Sequence, residues 1–308
     1  MTSLAVCVII TAWNEVEKTV ACLETVVSQT YPNFRILLVD NGSRQPLIQT
    51  AAEQFSQVEI LRNERNFGFA GGYNQGLLHA LLDDFDLFFL LNNDTLLAPD
   101  CLEALVAEFL ATLDAGLVTA KIYYADEPQR IWTVGNELSP WVLDIKGGGD
   151  KQIDTGQWEN ARDIDFVPFC AALLSRTLLE SVGLLDEGFF LYYEDMDYCR
   201  RARLAGFRLR YAPKAKLWHV VSASSGGRDS PLERYWMAQS SGRYFRKHGH
   251  GWHMLLIIPF RLASASKMTL HLLLKRRGRA LAAYWLGLLR GWGNGRATTP
   301  PPTWIISG

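Results

Sequence analysis

The chain has 308 residues, 48% of them hydrophobic and 20% charged. These are the proportions of a globular protein of one large domain or two sharing an interface, and they exclude a small scaffold that needs disulfide or metal staples. The formal net charge of −1 hides an asymmetry: the 75 residues after Glu233 carry 12 Lys or Arg and no Asp or Glu, leaving 19 basic against 32 acidic groups upstream.

An acidic body joined to a tail of +12 points to a polyanion or an anionic membrane as the tail's partner. The five cysteines are odd in number, form no CxxC pair and lie mostly in apolar runs, so they read as small buried hydrophobes in a reducing compartment.

Residues 5–11 (AVCVIIT) are an apolar, β-branched run, expected to be a buried strand. Met1 leads into it without a basic n-region, so no secretory signal is expected and the chemistry is expected to face the cytosol. Asn14, with Glu17 three positions on, is expected to cap a helix running to about Ser28, which Tyr31-Pro32 ends. FRILLVD is the second strand and stops at the turn Asp40-Asn41-Gly42-Ser43. A helix at about 46–56, a strand at 58–62, a helix at 70–83 and the strand DLFFLLNND follow, and Pro99 opens a helix through about Ala115. Residues 117–165 are less regular, with short strand-like pieces and a flexible GGGD at 147–150, and are expected to form a loop or lid; periodicity returns at 166–175.

Strands alternating with helices imply an α/β layered, largely parallel sheet. Ligands of such sheets sit beyond the carboxyl ends of the strands. Here those ends read TAWNE, DNGS, RNERNFG and NNDT, all polar.

Five segments carry candidate chemistry. Asp40 can accept a hydrogen bond from the N3–H of a uracil or thymine, or it is simply a turn-forming residue beside Asn-Gly. In RNFGFAGGYNQG (65–76), glycines between a strand and a helix allow backbone N–H groups to approach a diphosphate, although neither the dinucleotide fingerprint nor a P-loop is present. LLNNDT (90–95) ends a buried strand in adjacent oxygen-bearing side chains, which suit a hard cation such as Mg2+ or Mn2+ or, alternatively, a helix-capping turn.

In FFLYYEDMDYCRRARLAGF (189–207), an aromatic run meets Glu194, Asp195 and Asp197 at the start of a helix. Tyr198, Cys199, Ala202 and Ala205 mark the buried face of that helix, and Gly206 its C′ residue. Acidic groups suit a helix N-terminus in any case. A carboxylate in such an aromatic wall is also desolvated and fit for general-base work. His219, in KLWHVVSASSG (216–226), is a core histidine or a metal ligand.

These segments, in this order, resemble family 2 glycosyltransferases, in particular the rhamnosyltransferase-like enzymes of bacterial surface polysaccharide assembly. The resemblance spans about residues 4–222. It implies an α/β GT-A fold, the nucleotide-diphospho-sugar transferase fold. That fold has a mostly parallel central sheet with helices on both faces, here with a C-terminal helical extension. Residues 1–225 would be the catalytic domain, with 1–98 the nucleotide-sugar-binding half and 99–225 the acceptor-binding half; 226–308 would be the basic, amphipathic helical extension.

The resemblance further implies that Thr11, Trp13, Glu15 and Asp40 hold the nucleobase and ribose, and that Asn66, Gly68 and Asn74 line the donor pocket. LLNNDT corresponds to the family's DxD motif, with Asn92 in place of its first Asp and Asp94 kept as a metal ligand. Asp195 falls on the catalytic base, and His219 on a histidine that binds the metal in some relatives. The implied enzyme is an inverting, metal-dependent hexosyltransferase using Mn2+ or Mg2+. Its donor would be a dTDP- or UDP-sugar, of rhamnose by subgroup resemblance alone, and its acceptor a glycan or lipid-linked hydroxyl.

Residues 252–292 hold WHMLLIIPF, MTLHLLL and LAAYWLGLL between basic residues. No stretch reaches the ~18 uncharged apolar residues of a spanning helix. These segments are read either as interfacial helices at an anionic cytoplasmic leaflet or as helices packed on the catalytic domain. Two other classes compete with transfer. A sugar nucleotidylyltransferase would need a Gly-rich N-terminal activation loop, where TAWNE stands instead. A catalytically silent glycan-binding scaffold would have no use for Asp94, Asp195 and His219. No recognisable motif supports nucleic-acid binding.

Overall fold

The computed structural model describes residues 3–44, 51, 54–220, 227, 229–293 and 299–306. The expected helix at about 46–56 lies largely outside them, as do residues 221–226 of the His219 segment.

The chain builds one large mixed sheet. Its strands are β1 (Val6–Ala12), β2 (Phe34–Asp40), β3 (Val58–Arg62), β4 (Leu87–Asn92), β5 (Thr95–Leu97), β6 (Ala115–Tyr124), β7 (Ile131–Thr133), β10 (Arg162–Ile164), β11 (Ala171–Ser175) and β12 (Arg208–His219). The short β8 (Glu137–Leu138) and β9 (Ile145–Lys146) pair separately as a hairpin. Strand order is β10-β12-β6-β11-β4-β1-β2-β3, with β5 on β12 and β7 on β6. Strands β3, β2, β1 and β4 are parallel throughout; β11 and β10 run against their neighbours, while β6 and β12 are parallel to each other.

Burial explains this layering. Alternate residues of β1 face opposite sides: Val6, Val8 and Ile10 pack on α1 (Val16–Val27) and α3 (Cys101–Ala111), and Cys7 and Ile9 pack on α2 (Gly68–Ala80). Period-two alternation in a strand apolar on both faces gives a sheet covered on both sides. A short α4 (Arg176–Val182) and α5 (Glu194–Leu204) lie on the α2 side. All five cysteines are buried and free.

Three longer helices follow: α6 (Pro231–His248), α7 (His253–Leu274) and α8 (Gly278–Trp292), with a last turn α9 at Thr303–Ile306. Helix α8 meets α6 at close range through Gly287 and Gly291, where an added Cβ would stand 2.3 Å from the Tyr235 carbonyl and 2.2 Å from the Gln239 carbonyl. The extension is thus packed helix on helix within itself, and α6 joins it to the body through Tyr244 and Phe245.

The structure corrects four local expectations. Residue 115 does not end a helix but opens β6, a ten-residue strand in the middle of the sheet, so 117–165 is not simply a loop or lid. Lys121 of β6 is fully buried and reaches Asp154 at 2.9 Å, fastening the following segment to the sheet. Asn14 does not cap α1. It has a left-handed φ of 66°, its N–H donates to Ser43 Oγ and its Oδ1 accepts from Arg44 N–H, so it ties the β1 loop to the β2 turn. Ala205 is exposed, whereas Tyr198, Cys199 and Ala202 are buried and Gly206 takes the left-handed C′ conformation expected of it.

Candidate active site

The carboxyl ends of the parallel strands lie level. Ala12, Asp40 and Arg62 are register partners across β1, β2 and β3, and Thr11 is opposite Asn92 of β4. The donor-side residues cluster at this edge. Trp13 is 41% exposed just past β1, and Glu15 at the start of α1 is paired with Lys18 at 2.6 Å. Asp40 is fully buried, accepts from Ser43 N–H at 2.9 Å and sits 3.3 Å from Arg62 Nη1. Thr11 Oγ1 is buried without a hydrogen-bond partner among the described residues.

Next to it, Asn41 organises the glycine-rich turn, a role that its place in the DNGS turn does not reveal. Its Nδ2 donates to Asn66 Oδ1 and the Gly68 carbonyl, and its Oδ1 accepts from Asn63 Nδ2 and Phe67 N–H. Asn66 Oδ1 in turn accepts from Gly68 N–H at 2.7 Å. Gly68 has φ +78°, and an added Cβ would lie 2.4 Å from the Phe190 carbonyl, so only glycine fits there. Asn74 does not join this edge. Its Nδ2 donates to the Leu185 carbonyl and Glu187 Oε1, and its Oδ1 accepts from Leu185 N–H, which clamps the 185–187 loop against α2.

The three polar residues after β4 take different directions. Asn92 Oδ1 accepts from Tyr73 OH at 3.1 Å, and Asn93 Nδ2 donates to Thr19 under α1. Asp94 Oδ1 lies 3.1 Å from His219 Nε2 at the end of β12, because β5 and β12 pair Thr95 with His219. Trp132 holds the His219 ring edge-on, and His219 Nδ1 is buried without a partner among the described residues. Among the described residues no group of three or more His, Cys, Asp or Glu converges on one point. Asp94 and His219 thus set one carboxylate oxygen beside one imidazole nitrogen, donor chemistry that fits a divalent cation.

Asp195 begins α5 after Tyr192 and Tyr193, both at left-handed φ (68° and 67°). Two successive bulky residues in that region are costly, and such strain concentrates at functional sites. Helix α6 holds the turn: Phe190 stacks on Trp236 at 4.4 Å, Tyr193 packs on Tyr244 and Phe245, and Ser240 Oγ donates to the Leu191 carbonyl. Asp197 fixes the other side of α5, with His248 Nε2 at 2.8 Å, Lys247 Nζ at 2.6 Å and Arg201 Nε at 2.8 Å. Burial opposes ionisation of Asp197, but the His248 hydrogen bond and the charges of Arg201 and Lys247 hold its pKa well below the usual range.

Burial raises the Asp195 pKa to about 6, although N–H groups of Met196, Asp195 itself and Phe169 pull the other way. Glu194 is buried beside it and is pushed up by desolvation and by the Asp195 charge; its Oε2 has no partner. The two motifs meet at residues 169–170. The Cys170 carbonyl accepts from Asn92 N–H, and the Cys170 thiol is raised first by burial and then by the charges of Asp94 and Asp195. Tyr73 is likewise raised by burial and by Cys170, Asp94 and Glu194, among others. Tyr73 and Cys170, neither of them found by the sequence reading, are buried side chains that feel the charges of both motifs.

A parallel half-sheet with polar carboxyl ends, continued by a mixed half, is the GT-A fold. The chain belongs to Glycosyl transferase family 2, whose model matches residues 7–183. It is similar to an uncharacterized protein of Sinorhizobium fredii, 28% identical over 231 residues, covering 70% of this chain and 24% of that protein. It is also similar to the N-acetylglucosaminyl-diphospho-decaprenol L-rhamnosyltransferase of Mycobacterium tuberculosis, 24% identical over 213 residues, covering 62% of this chain and 68% of that one. The chain spans about a quarter to a half of the length of the first curated relatives it matches. Its fold is shared by the mannosyltransferase PcManGT from Pyrobaculum calidifontis, solved with GDP-Man and Mn2+, with TM-score 0.57, 16% identity, and 100% of this chain and 79% of that one covered. The family match ends before Asp195 and His219.

Proposed function

We propose that this glycosyltransferase moves a hexosyl group, with inversion, from a nucleotide diphosphate-sugar to an acceptor hydroxyl in cell-surface polysaccharide or glycolipid assembly. The carrying observation is that Asp94, paired with His219, and the desolvated Asp195, 101 positions further on, both raise the buried Cys170 thiol by their charge. Thr11, Trp13, Glu15 and Asp40 hold the nucleobase and ribose, and the turn at Asn66 and Gly68 borders the donor diphosphate near Asn92. Asn74 acts by holding the 185–187 loop. A divalent cation, Mn2+ or Mg2+, bound by Asp94 and His219 supplies charge neutralisation for the leaving diphosphate.

Asp195 accepts the proton of the acceptor hydroxyl while that oxygen bonds to the anomeric carbon. The bond from that carbon to the diphosphate oxygen breaks on the opposite face, and one displacement inverts the centre. A pKa of about 6 leaves Asp195 ionised yet basic near neutral pH. By the subgroup resemblance the donor is dTDP-rhamnose or a UDP-sugar; by similarity to the mycobacterial N-acetylglucosaminyl-diphospho-decaprenol L-rhamnosyltransferase the acceptor is a glycan or diphospholipid-linked sugar. We assign the reaction to the cytoplasmic face of the plasma membrane.

The test is a thermal-shift screen of nucleotide-sugars with and without Mn2+, followed by NMR of the product linkage. A donor that raises the melting temperature only with metal, and a product of inverted anomeric configuration, are expected. Retention of configuration, or no response to any nucleotide-sugar, overturns the reading.

A further inference from the structure

Helix α7 turns its most apolar face outward. It meets the body through Ile257, Ala265 and Leu272, which are buried. Leu255, Ile258, Leu262, Leu270, Leu273 and Leu274 are instead 46–76% exposed. At 100° per residue these six share an arc of about 160°. No charged residue falls in that arc. Lys267 stands at its rim, and Arg261 turns inward, over the Phe245 ring and onto Ser241 Oγ at 3.0 Å. An apolar face of this extent, broken only by Ser266 and Thr269, marks an interaction site.

Charge identifies the occupant. Directly after Leu274 come Lys275, Arg276, Arg277 and Arg279, all exposed. Residues 253–293 contain no carboxylate. The acidic group facing this cluster from α6's side is Asp229, already shared by His271, Lys275 and Arg234. Trp252, 54% exposed, precedes the helix, and Trp285, 39% exposed, donates to Thr269 Oγ1 along the arc. Leucines flanked by tryptophans and cations match the depth profile of a bilayer interface with anionic headgroups. A second copy packed through the same face would cover the leucines but set its own Lys275, Arg276, Arg277 and Arg279 near these four cations.

We propose that the outer face of α7 lies flat in the headgroup–acyl boundary of an anionic bilayer, with Lys275–Arg279 on the lipid phosphates. No helix among the described residues is long and apolar enough to cross the membrane, in keeping with a helix lying in the plane. This surface is independent of the transfer chemistry, so its test leaves that reading untouched.

The test is flotation of the full chain with vesicles of phosphatidylcholine alone or mixed with phosphatidylglycerol. Flotation is expected with the mixed vesicles, at least tenfold weaker with the neutral ones, and reduced by salt. The combined variant Leu255→Ser, Leu262→Ser and Leu270→Ser, which touches only exposed side chains, is expected to lose at least tenfold in binding with its melting temperature unchanged. Arg276→Glu, as a second and milder probe, is expected to weaken binding to the mixed vesicles only. Equal flotation of wild type and triple variant overturns the proposal. So does a wild-type dimer that the triple variant dissociates while neither protein floats, which assigns the face to a second copy.

Discussion

Replacing Asp195 by Asn tests the site through stability as well as rate. The folded state raises this carboxyl from 3.8 to about 6, chiefly by desolvation. At ~1.4 kcal/mol per pH unit, a shift of about two units corresponds to up to about 3 kcal/mol. A raised pKa means that the fold prefers the neutral acid. The contribution is fully present below the unfolded value near 4 and is lost as pH rises through about 6. Asn is neutral at every pH and can still accept from Met196 N–H. The variant should therefore match wild type near pH 4 and exceed it by up to about 3 kcal/mol at pH 8.

With an unfolding entropy of ~2.1 cal/mol/K per residue, this is roughly 4–5 °C in melting temperature for a chain of this length. Turnover should fall by about 10² or more with donor binding largely intact, while the wild-type rate rises with pH through about 6. Calorimetry at the two pH values, with initial rates alongside, measures both. A variant no more stable than wild type at pH 8, or one with near-normal turnover, refutes the assignment of a desolvated base.

Asp94→Ala should abolish the metal-dependent part of donor binding in titration calorimetry; unchanged metal dependence rules out the ligand role. Gly68→Ala should destabilise the fold by roughly 2 kcal/mol or more, from a left-handed φ and the contact with the Phe190 carbonyl, as read by urea unfolding. Asn41→Ala strands four hydrogen-bonding partners and should cost about 2–4 kcal/mol in the same experiment. Trp236→Ala, which removes the ring under Phe190, should lower kcat more than it raises the donor KM, because it loosens the turn before Asp195 and not the nucleotide edge; an equal change in both refutes that division.

Much of this was legible in the chain. The apolar runs of β1, β2 and β4 and the polar residues at their ends depend on local pattern alone, and the structure aligns those ends in one register. The acidic turn of α5 and its glycine stop were equally local. Strand β6 was not legible, because AGLVTAKIYY, buried from both sides, shows neither period, and its lysine gave no sign of a distant Asp154. Nor could the run Asn92-Asn93-Asp94 be sorted, since each side chain's destination is set by a partner elsewhere: Tyr73, Thr19 and His219. The outward face of α7 inverts the usual rule that apolar residues point inward, so the apolar segments marked helix there but not which face turns outward.

The paired left-handed tyrosines tie the completion of this enzyme to the end of its chain. Each such torsion costs about 1–3 kcal/mol. The groups that offset it, Trp236, Ser240, Tyr244 and Phe245, are encoded after the last strand of the sheet. A chain that stops at β12 has every strand named above but lacks those four supports, although Phe69 N–H still holds the Phe190 carbonyl. On the proposed role of Asp195, such a chain would present its nucleotide edge while the turn that carries the base stays unsecured.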